Sequence, residues 1–442
     1  MKIPVLLLIP VLLLAANDLG AAEFRRENIL VRQLDNGLKI LLYEDHDIPN
    51  IAYYTFFKVG SRNERPGLTG VSHFIEHMMF NGSAAFGPGE FDRIMEFNGG
   101  ANNAYTSDDL TAYTDWFPKA ALEKMMHLEA DRMLALTFDP TVLESERGVI
   151  ASERRLGVEN DNDSLLEETV RATAIMAHPY HWGVIGWMSD ILNWKRDEIA
   201  AYFRTYYAPN NAVLIVTGDF DSARIMELIN KYYAAIPRAT PPPAIATVEP
   251  PQVGEKRVIL RKTAQIPSFL AVYHVPAVSH PDFPALSLLE TIMLQGESSR
   301  LYRRLVSETQ LAISVAGGIS QTIDPFLFYI QAKPRPGADM ERLEKIMEEE
   351  IEKIKSQGIT ALEMEKAINA ARTSFFTPLQ TIAGKANMLG RAELLLGGFE
   401  NLFTLIDRFT AVTPVQVQEA CRRYFDRDNK TVGVLIPSGG GQ

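Results

Sequence analysis

The sequence predicts an α+β fold built from two tandem homologous domains, and three observations carry that reading. Residues 237–254 contain Pro237, Pro241, Pro242, Pro243, Pro250 and Pro251, which interrupt any helix or central strand and split the chain into similar lengths. Short segments recur across that break at one offset. Ile48-Pro49 returns as Ile266-Pro267, and Tyr206-Tyr207-Ala208-Pro209-Asn210-Asn211 returns as Tyr424-Phe425-Asp426-Arg427-Asp428-Asn429, each 218 residues later. Strand-like and helix-like segments are grouped without strict alternation, which favours α+β layers over a doubly wound sheet. The expected division is a signal peptide over 1–22, a first domain over 23–236, a linker over 237–254 and a second domain over 255–442.

Residues 1–22 stand apart from the fold. Lys2 precedes an apolar run from Ile3 to Ala16, and Gly20-Ala21-Ala22 closes it with a small-x-small site, the pattern of a cleavable secretory signal. Fourteen residues at 1.5 Å rise reach about 21 Å, short of the roughly 30 Å hydrocarbon core, so a membrane anchor is the weaker reading. No other apolar stretch is long enough to span a membrane.

Within the first half, Gly37 to Glu44 and Ala52 to Val59 read as strands, from their alternating and β-rich character. Helices are expected over Leu68 to Phe80, Phe91 to Asn98, Pro118 to Ala135, Pro140 to Leu156 and Arg196 to Tyr206. Asp139 is a natural N-cap for the fourth of these, with Pro140 at its first position. Ala104 to Phe117 reads as extended, and Ala212 to Thr217 as the closing strand. In the second half, Val415 to Arg423 aligns with Asp197 to Thr205, and Thr431 to Ile436 with the closing strand.

Composition narrows the function. With 46% hydrophobic and 22% charged residues among 442, the chain is neither disordered nor fibrous. Lys and Arg total 44 against 55 Asp and Glu, a net charge of −11 with no long basic run, which argues against general nucleic-acid binding. Cys421 is the single cysteine, so there is no intramolecular disulfide framework and no Cys-rich zinc module. Any metal must be held mainly by His and carboxylate. A disulfide-free secreted chain fits a bacterial periplasm.

One segment offers such a site. In His73-Phe74-Ile75-Glu76-His77 the two histidines stand at i and i+4 on one helix face, so both imidazoles can reach one ion. Glu76 shares that face and can reach a water at the metal. A catalytic zinc needs three protein ligands, an open position and a nearby carboxylate to take a proton. The motif alone arises by chance in on the order of one in a hundred such sequences, so it needs a third ligand. The helix from Pro140 offers Glu146 and Glu153, two turns apart on one face. A Glu-rich face of this kind is more often only solvated.

From Leu30 to Val216 the chain resembles the catalytic half of the pitrilysin/insulinase family of zinc metallopeptidases, the inverzincins, which includes the mitochondrial processing peptidases. The resemblance rests on Val59-Gly60-Ser61-Arg62, Gly70 through Met78 around the histidines, and Asn103-Ala104-Tyr105-Thr106-Ser107. It continues through Glu146 to Glu153, His178-Pro179-Tyr180 and Tyr207-Ala208-Pro209-Asn210-Asn211. It implies His73, His77 and Glu153 as ligands of one Zn2+ per chain, Glu76 as general base and Glu146 as a second acidic group beside the site. It implies Asn103 and Ala104 on an edge strand that takes peptide substrates as an extra strand. His127, His178 and His181 match no ligand position. The family also implies, for each domain, a mainly antiparallel sheet with packed helices, the two domains forming a clamshell-like half.

The second half departs from the first. Phe74 to Gly82 aligns with Leu288 to Gly296 at an offset of 214, which puts Ser287 and Thr291 at the two histidine positions. Two hydroxyls do not make a dependable zinc site, so the second domain is expected to be metal-free. Related sequences carry an Arg and a Tyr in the second half that reach the scissile carbonyl. Here Val306 or Ser307 and Ile313 occupy those places, with Arg300, Arg303 and Arg304 as the nearby candidates to compensate. The expectation is a periplasmic zinc endopeptidase that binds peptides and works as a homodimer, or as a heterodimer with a related non-zinc subunit supplying the Arg/Tyr pair. The alternative is a non-catalytic scaffold or assembly subunit.

Overall fold

A computed structural model describes residues 24–438; the expected signal peptide lies outside the described residues. The first half runs β1 (Leu30–Gln33), β2 (Lys39–Glu44), β3 (Asn50–Phe57), α1 (Val71–Met78), α2 (Glu90–Phe97), β4 (Ala101–Thr106) and β5 (Thr111–Pro118). It continues with α3 (Leu122–Ala135), α4 (Pro140–Arg154), α5 (Asn162–Ala174), α6 (Met188–Ile191), α7 (Arg196–Tyr206), β6 (Ala212–Gly218) and α8 (Ser222–Tyr233). The second half runs β7 (Lys256–Lys262), β8 (Ser268–Val275), α9 (Phe283–Leu294), β9 (Ala312–Ile319) and β10 (Phe326–Pro334). Then come α10 (Met340–Gln357), α11 (Ala361–Phe376), α12 (Ile382–Leu395), α13 (Leu405–Thr410), α14 (Pro414–Tyr424) and β11 (Lys430–Pro437).

The fold class is α+β, as the grouping of segments predicts. The first sheet has the order β1-β2-β6-β3-β5-β4 and the second β7-β11-β8-β10-β9. Each is antiparallel except for one parallel pair, β2 with β6 and β7 with β11. The two halves keep the repeat's register: β3 and β8, α7 and α14, and β6 and β11 begin 218 positions apart. β1 and β4 end the first sheet, and β7 and β9 end the second.

Differences from the expected elements have local causes. The first helix starts at Val71 instead of Leu68 because Gly70 adopts φ +86°, and a Cβ there would meet the Ile185 carbonyl oxygen at 2.4 Å. The extended stretch Ala104 to Phe117 is a hairpin, β4 and β5, turned at Ser107–Leu110. Pro118 ends β5 with extended dihedrals, so the helix expected from Pro118 begins at Leu122. Helices α5 and α8 were not read from the sequence, although Asp161 and Asp221 cap their first turns.

Two cores fill the layers between each sheet and its helices. The opposite faces of the sheets are covered by exchange. α5 of the first half packs Leu166, Val170 and Ala174 on Leu270, Val272 and Leu435 of the second sheet. α12 of the second half packs Ile382, Ala386 and Leu389 on Leu41, Ala52 and Phe56 of the first sheet. Glycines admit both helices: a Cβ on Gly433 would stand 2.2 Å from Val170, and one on Gly390 would stand 2.2 Å from the Phe56 ring. The break in the chain is therefore not the boundary of packing. Gly433→Val is expected to cost about 1–3 kcal/mol by overpacking, read as a lower denaturation midpoint together with faster proteolysis between the halves.

Polar contacts also tie the halves. Arg62 and His178 both reach Asp324, at 2.5 Å and 3.0 Å. Buried Asp109 accepts from the Tyr180 hydroxyl at 2.6 Å and the Ile323 amide at 2.9 Å, and burial pushes its carboxyl up to about 6. Lys39 pairs with Glu393 and Lys385 with Asp45.

Candidate metal centre

The centre is built on α1 and α4, which pack together beside β4, a terminal strand of the first sheet. Buried Glu64 clamps the start of α1: its two carboxylate oxygens accept from the Gly70 and Ser72 amides at 2.7 and 2.8 Å. Asp190 holds the preceding loop through Gly67 and Thr69. Sequence reading missed both residues, because their partners become visible only once the loop is closed.

On this helix His73 and His77 lie with ring centroids 4.7 Å apart. The groups of His73, His77 and Glu153 that can bind a metal lie within 4.8 Å of one another, and His77 Nε2 is 3.7 Å from Glu153 Oε2. Ligand atoms around a tetrahedral zinc lie about 3.3–3.5 Å apart, given metal–ligand distances of about 2.0–2.1 Å. Small rotations therefore suffice, and the donor set fits zinc.

Glu146 takes part through His77. Its Oε1 is 2.7 Å from His77 Nδ1, and its Oε2 accepts from Asn81 Nδ2 at 2.9 Å. That contact leaves His77 Nε2 free toward Glu153. The hydrogen bond from His77 holds the Glu146 carboxyl below the usual range against its burial. Burial works against the His77 cation, but Glu146 and Glu153 outweigh it and raise its pKa. For His73, burial and then the neighbouring His77 push the pKa down to about 4, leaving a neutral imidazole with a lone pair to donate. His73 Nδ1 is buried without a hydrogen-bond partner.

Glu76 faces the sheet edge. Its Oε2 accepts from Thr106 Oγ1 of β4 at 2.6 Å, and burial raises its pKa against that hydrogen bond. Asn103 and Ala104 lie on β4, the terminal strand of the sheet. The Ala104 amide donates to the Asn103 side-chain carbonyl at 2.9 Å, and Thr114 Oγ1 donates to the Asn103 carbonyl.

The three histidines that match no ligand position are engaged elsewhere. His178 pairs with Asp324, His127 packs between Phe86 and Tyr232, and His181 Nδ1 lies 2.6 Å from the Ile175 carbonyl.

In the second half the positions expected for Arg and Tyr offer no charge. Val306 packs against the second core, Ser307 is exposed, and Ile313 stands half exposed on β9. The nearby arginines are each paired with acid: Arg300 with Glu363 at 2.6 Å, Arg304 with Glu308 at 2.7 Å, and Arg303 with Glu308 at 3.7 Å. Glu363 also closes the capping box of α11 with Thr360. Burial works against its carboxylate, but Arg300 and the Thr360 amide bring its pKa down to about 2. A carboxyl depressed in the folded state adds stability above its unfolded value of about 4.3 and loses it as pH falls toward 2. Glu363→Gln is therefore expected to flatten the acid limb of a stability–pH curve between those values, measured by denaturant midpoints.

A mainly antiparallel two-sheet fold, with two histidines and a glutamate gathered next to an open strand and a further carboxylate, is the architecture of a metallopeptidase. Residues 39–186 match the family model described as Insulinase (Peptidase family M16), and residues 193–371 match the one described as Peptidase M16 inactive domain. The chain belongs to this family, the pitrilysin/insulinase family M16. It is 33% identical over 410 residues to the zinc protease PqqE of Helicobacter pylori, covering 91% of this chain and 92% of that protein. It is 25% identical over 407 residues to YmxG of Bacillus subtilis, named an uncharacterized zinc protease, covering 91% and 97%. Among solved structures, a protease from Helicobacter pylori superposes with a TM-score of 0.89 at 30% identity over 92% of this chain and 99% of that one. The periplasmic protease PqqL of Escherichia coli shares the fold, with a TM-score of 0.77 at 20% identity, and this chain covers 48% of it. Among the described residues no helix is long and apolar enough to cross a membrane.

Proposed function

We propose that the chain is a zinc-dependent endopeptidase that hydrolyses peptides or unstructured polypeptide segments. The observation that carries this is the convergence of His73, His77 and Glu153 within 4.8 Å, with Glu76 tied to the edge strand beside them. The zinc-protease names of its relatives support the same reading.

The chain's residues divide the work. His73, His77 and Glu153 would hold one zinc, and Glu146 orients His77 through Nδ1. When bound, zinc polarises the scissile carbonyl and makes a water acidic enough to attack near neutral pH. Glu76 takes the proton from the attacking water and passes it to the leaving amine. Thr106 fixes one oxygen of Glu76, which leaves the other for the proton. β4 receives the peptide as an added strand at Asn103 and Ala104, reading backbone more than side chains.

The missing Arg/Tyr pair motivates the second part of the proposal. A related partner subunit supplies these groups to the developing oxyanion, and the complex works in the periplasm after loss of residues 1–22. The test is a metal and activity assay on the purified chain. One zinc per chain is expected, with hydrolysis of an unstructured peptide lost on chelation, restored by zinc and accelerated by the related subunit. Full activity of the chain alone, unchanged by that subunit, would sink the complementation. A chain that neither binds zinc nor cleaves, with or without the subunit, would favour the scaffold reading.

A further inference from the structure

The second half holds the counterpart of the metal centre, rebuilt as a cavity. α9 and α11 correspond to α1 and α4, and the N-caps of the two long helices, Asp139 and Thr360, stand 221 positions apart. His73, His77 and Glu153 thus correspond to Ser287, Thr291 and Ser374. All three of these residues line one cavity of about 320 Å³ between α9, α11 and α12. That volume is at the lower end for ligand pockets. Its walls are largely apolar, with Phe283, Phe375, Leu395 and Phe409 among them.

The charge in this cavity is one-sided. Arg391 lines it and no carboxylate does. Three other partly buried cations of the acidic chain each have an acid in contact: Lys39 has Glu393, Lys385 has Asp45 and Arg300 has Glu363. Arg391 instead donates to Gln321 Oε1 at 3.2 Å, and its charge lies near enough to the Tyr105 hydroxyl to oppose the rise that burial gives that group's pKa. Glu290 on α9 is turned to Gln295 and the Ile319 amide, at 2.8 and 3.1 Å. A guanidinium with only neutral partners, on the wall of an apolar cavity, matches one carboxylate attached to an apolar body.

The same wall is joined to the edge strand of the first half. Tyr105 follows Ala104 on β4, and its hydroxyl donates at 3.1 Å to Asn387, which lines the cavity. We propose that this cavity is a second ligand site, taking a free carboxylate carried on an apolar group, and that the ligand is the C-terminal residue of a peptide. The α-carboxylate sits on Arg391 and the side chain between the phenylalanines. The choice of a peptide rests on the peptidase reading above; the carboxylate site does not.

Binding is measured by calorimetry on the full chain carrying Glu76→Gln and stripped of metal, so the outcome is independent of whether the first half hydrolyses anything. The probes are acetyl-Ala-Ala-Phe with a free carboxylate, the same peptide as its amide, and decanoate. The free acid is expected to bind and the amide to bind at least about tenfold more weakly, the loss of a charge-assisted contact. Arg391→Gln should weaken the acid by a similar factor without moving the amide. Arg391→Lys should restore most of it, and Ala371→Trp should exclude both by filling the cavity. Equal binding of acid and amide, no binding of either peptide or decanoate, or acid binding indifferent to Arg391→Gln would overturn the site. Decanoate bound through Arg391 with no peptide bound would overturn the peptide and assign a free fatty acid instead.

Discussion

Glu76→Gln is expected to lower kcat on an unstructured peptide by about 10²- to 10⁴-fold, the range for loss of a general base, while zinc content stays at one per chain. The substitution is nearly isosteric and keeps an oxygen that can accept from Thr106, so the tie between α1 and β4 survives. What is lost is the capacity to take a proton. The proposed ligands His73, His77 and Glu153 are unchanged, which separates this variant from one that merely drops its metal. Steady-state kinetics beside a metal assay reads both quantities. Unaltered hydrolysis in Glu76→Gln would refute the mechanism, and lost zinc would show that Glu76 shapes the site instead of serving it.

The largest stability effect is expected at Arg132, whose side chain is 2% exposed. Its guanidinium lies 4.4 Å from the centroids of Phe91 and Tyr113 and 5.0 Å from that of Phe80. Glu129 pairs with it, and Asp115 lies fully buried beside the pair. Burial, with Glu129 adding to it, drives the Asp115 carboxyl well above the usual range. Burial opposes the Arg132 cation, but Glu129 and Asp115 outweigh it. Arg132→Met keeps much of the contact with the rings but strands Glu129 in the core, at a cost of about 3–5 kcal/mol. Adding Glu129→Leu should recover most of that loss, because the uncompensated charge is the source of the penalty. Denaturant unfolding of the two variants decides this, and a double variant no better than Arg132→Met would contradict it.

The cluster also bears on the site. Tyr113 pairs with Ala104 across the β4–β5 hairpin, and Phe80 lies two residues beyond the end of α1. Arg132 therefore braces both elements that meet at Glu76.

The legible part of this protein is local or periodic. His73, Glu76 and His77 fall on one face because helical geometry places i and i+4 together, whatever surrounds the helix. The offset of 218 survives as matched strands and helices because a repeated sequence folds to repeated elements. The break at 237–254 shows in its prolines. Glu153 is a different case. It lies 76 residues beyond His77, its helix face carries other acids, and only the family resemblance singled it out.

The tertiary structure decided the rest, since the partners concerned are remote in the chain and ordinary in composition. Nothing local to Glu64 or Thr106 says that one clamps α1 and the other holds Glu76. The exchange of α5 and α12 leaves little mark in either helix, because an apolar stripe does not specify which sheet will cover it. Charge count alone hid Arg391, a cation with no acid in contact, beside the hydroxyl counterpart of the metal centre. Sequence by itself determined the repeat, the fold class and the two-histidine helix, which depend on neighbours within a turn or a strand. The approach of Glu153 to the two histidines, the brace beneath the site and the second cavity depend on which surfaces meet, and that was set only by packing.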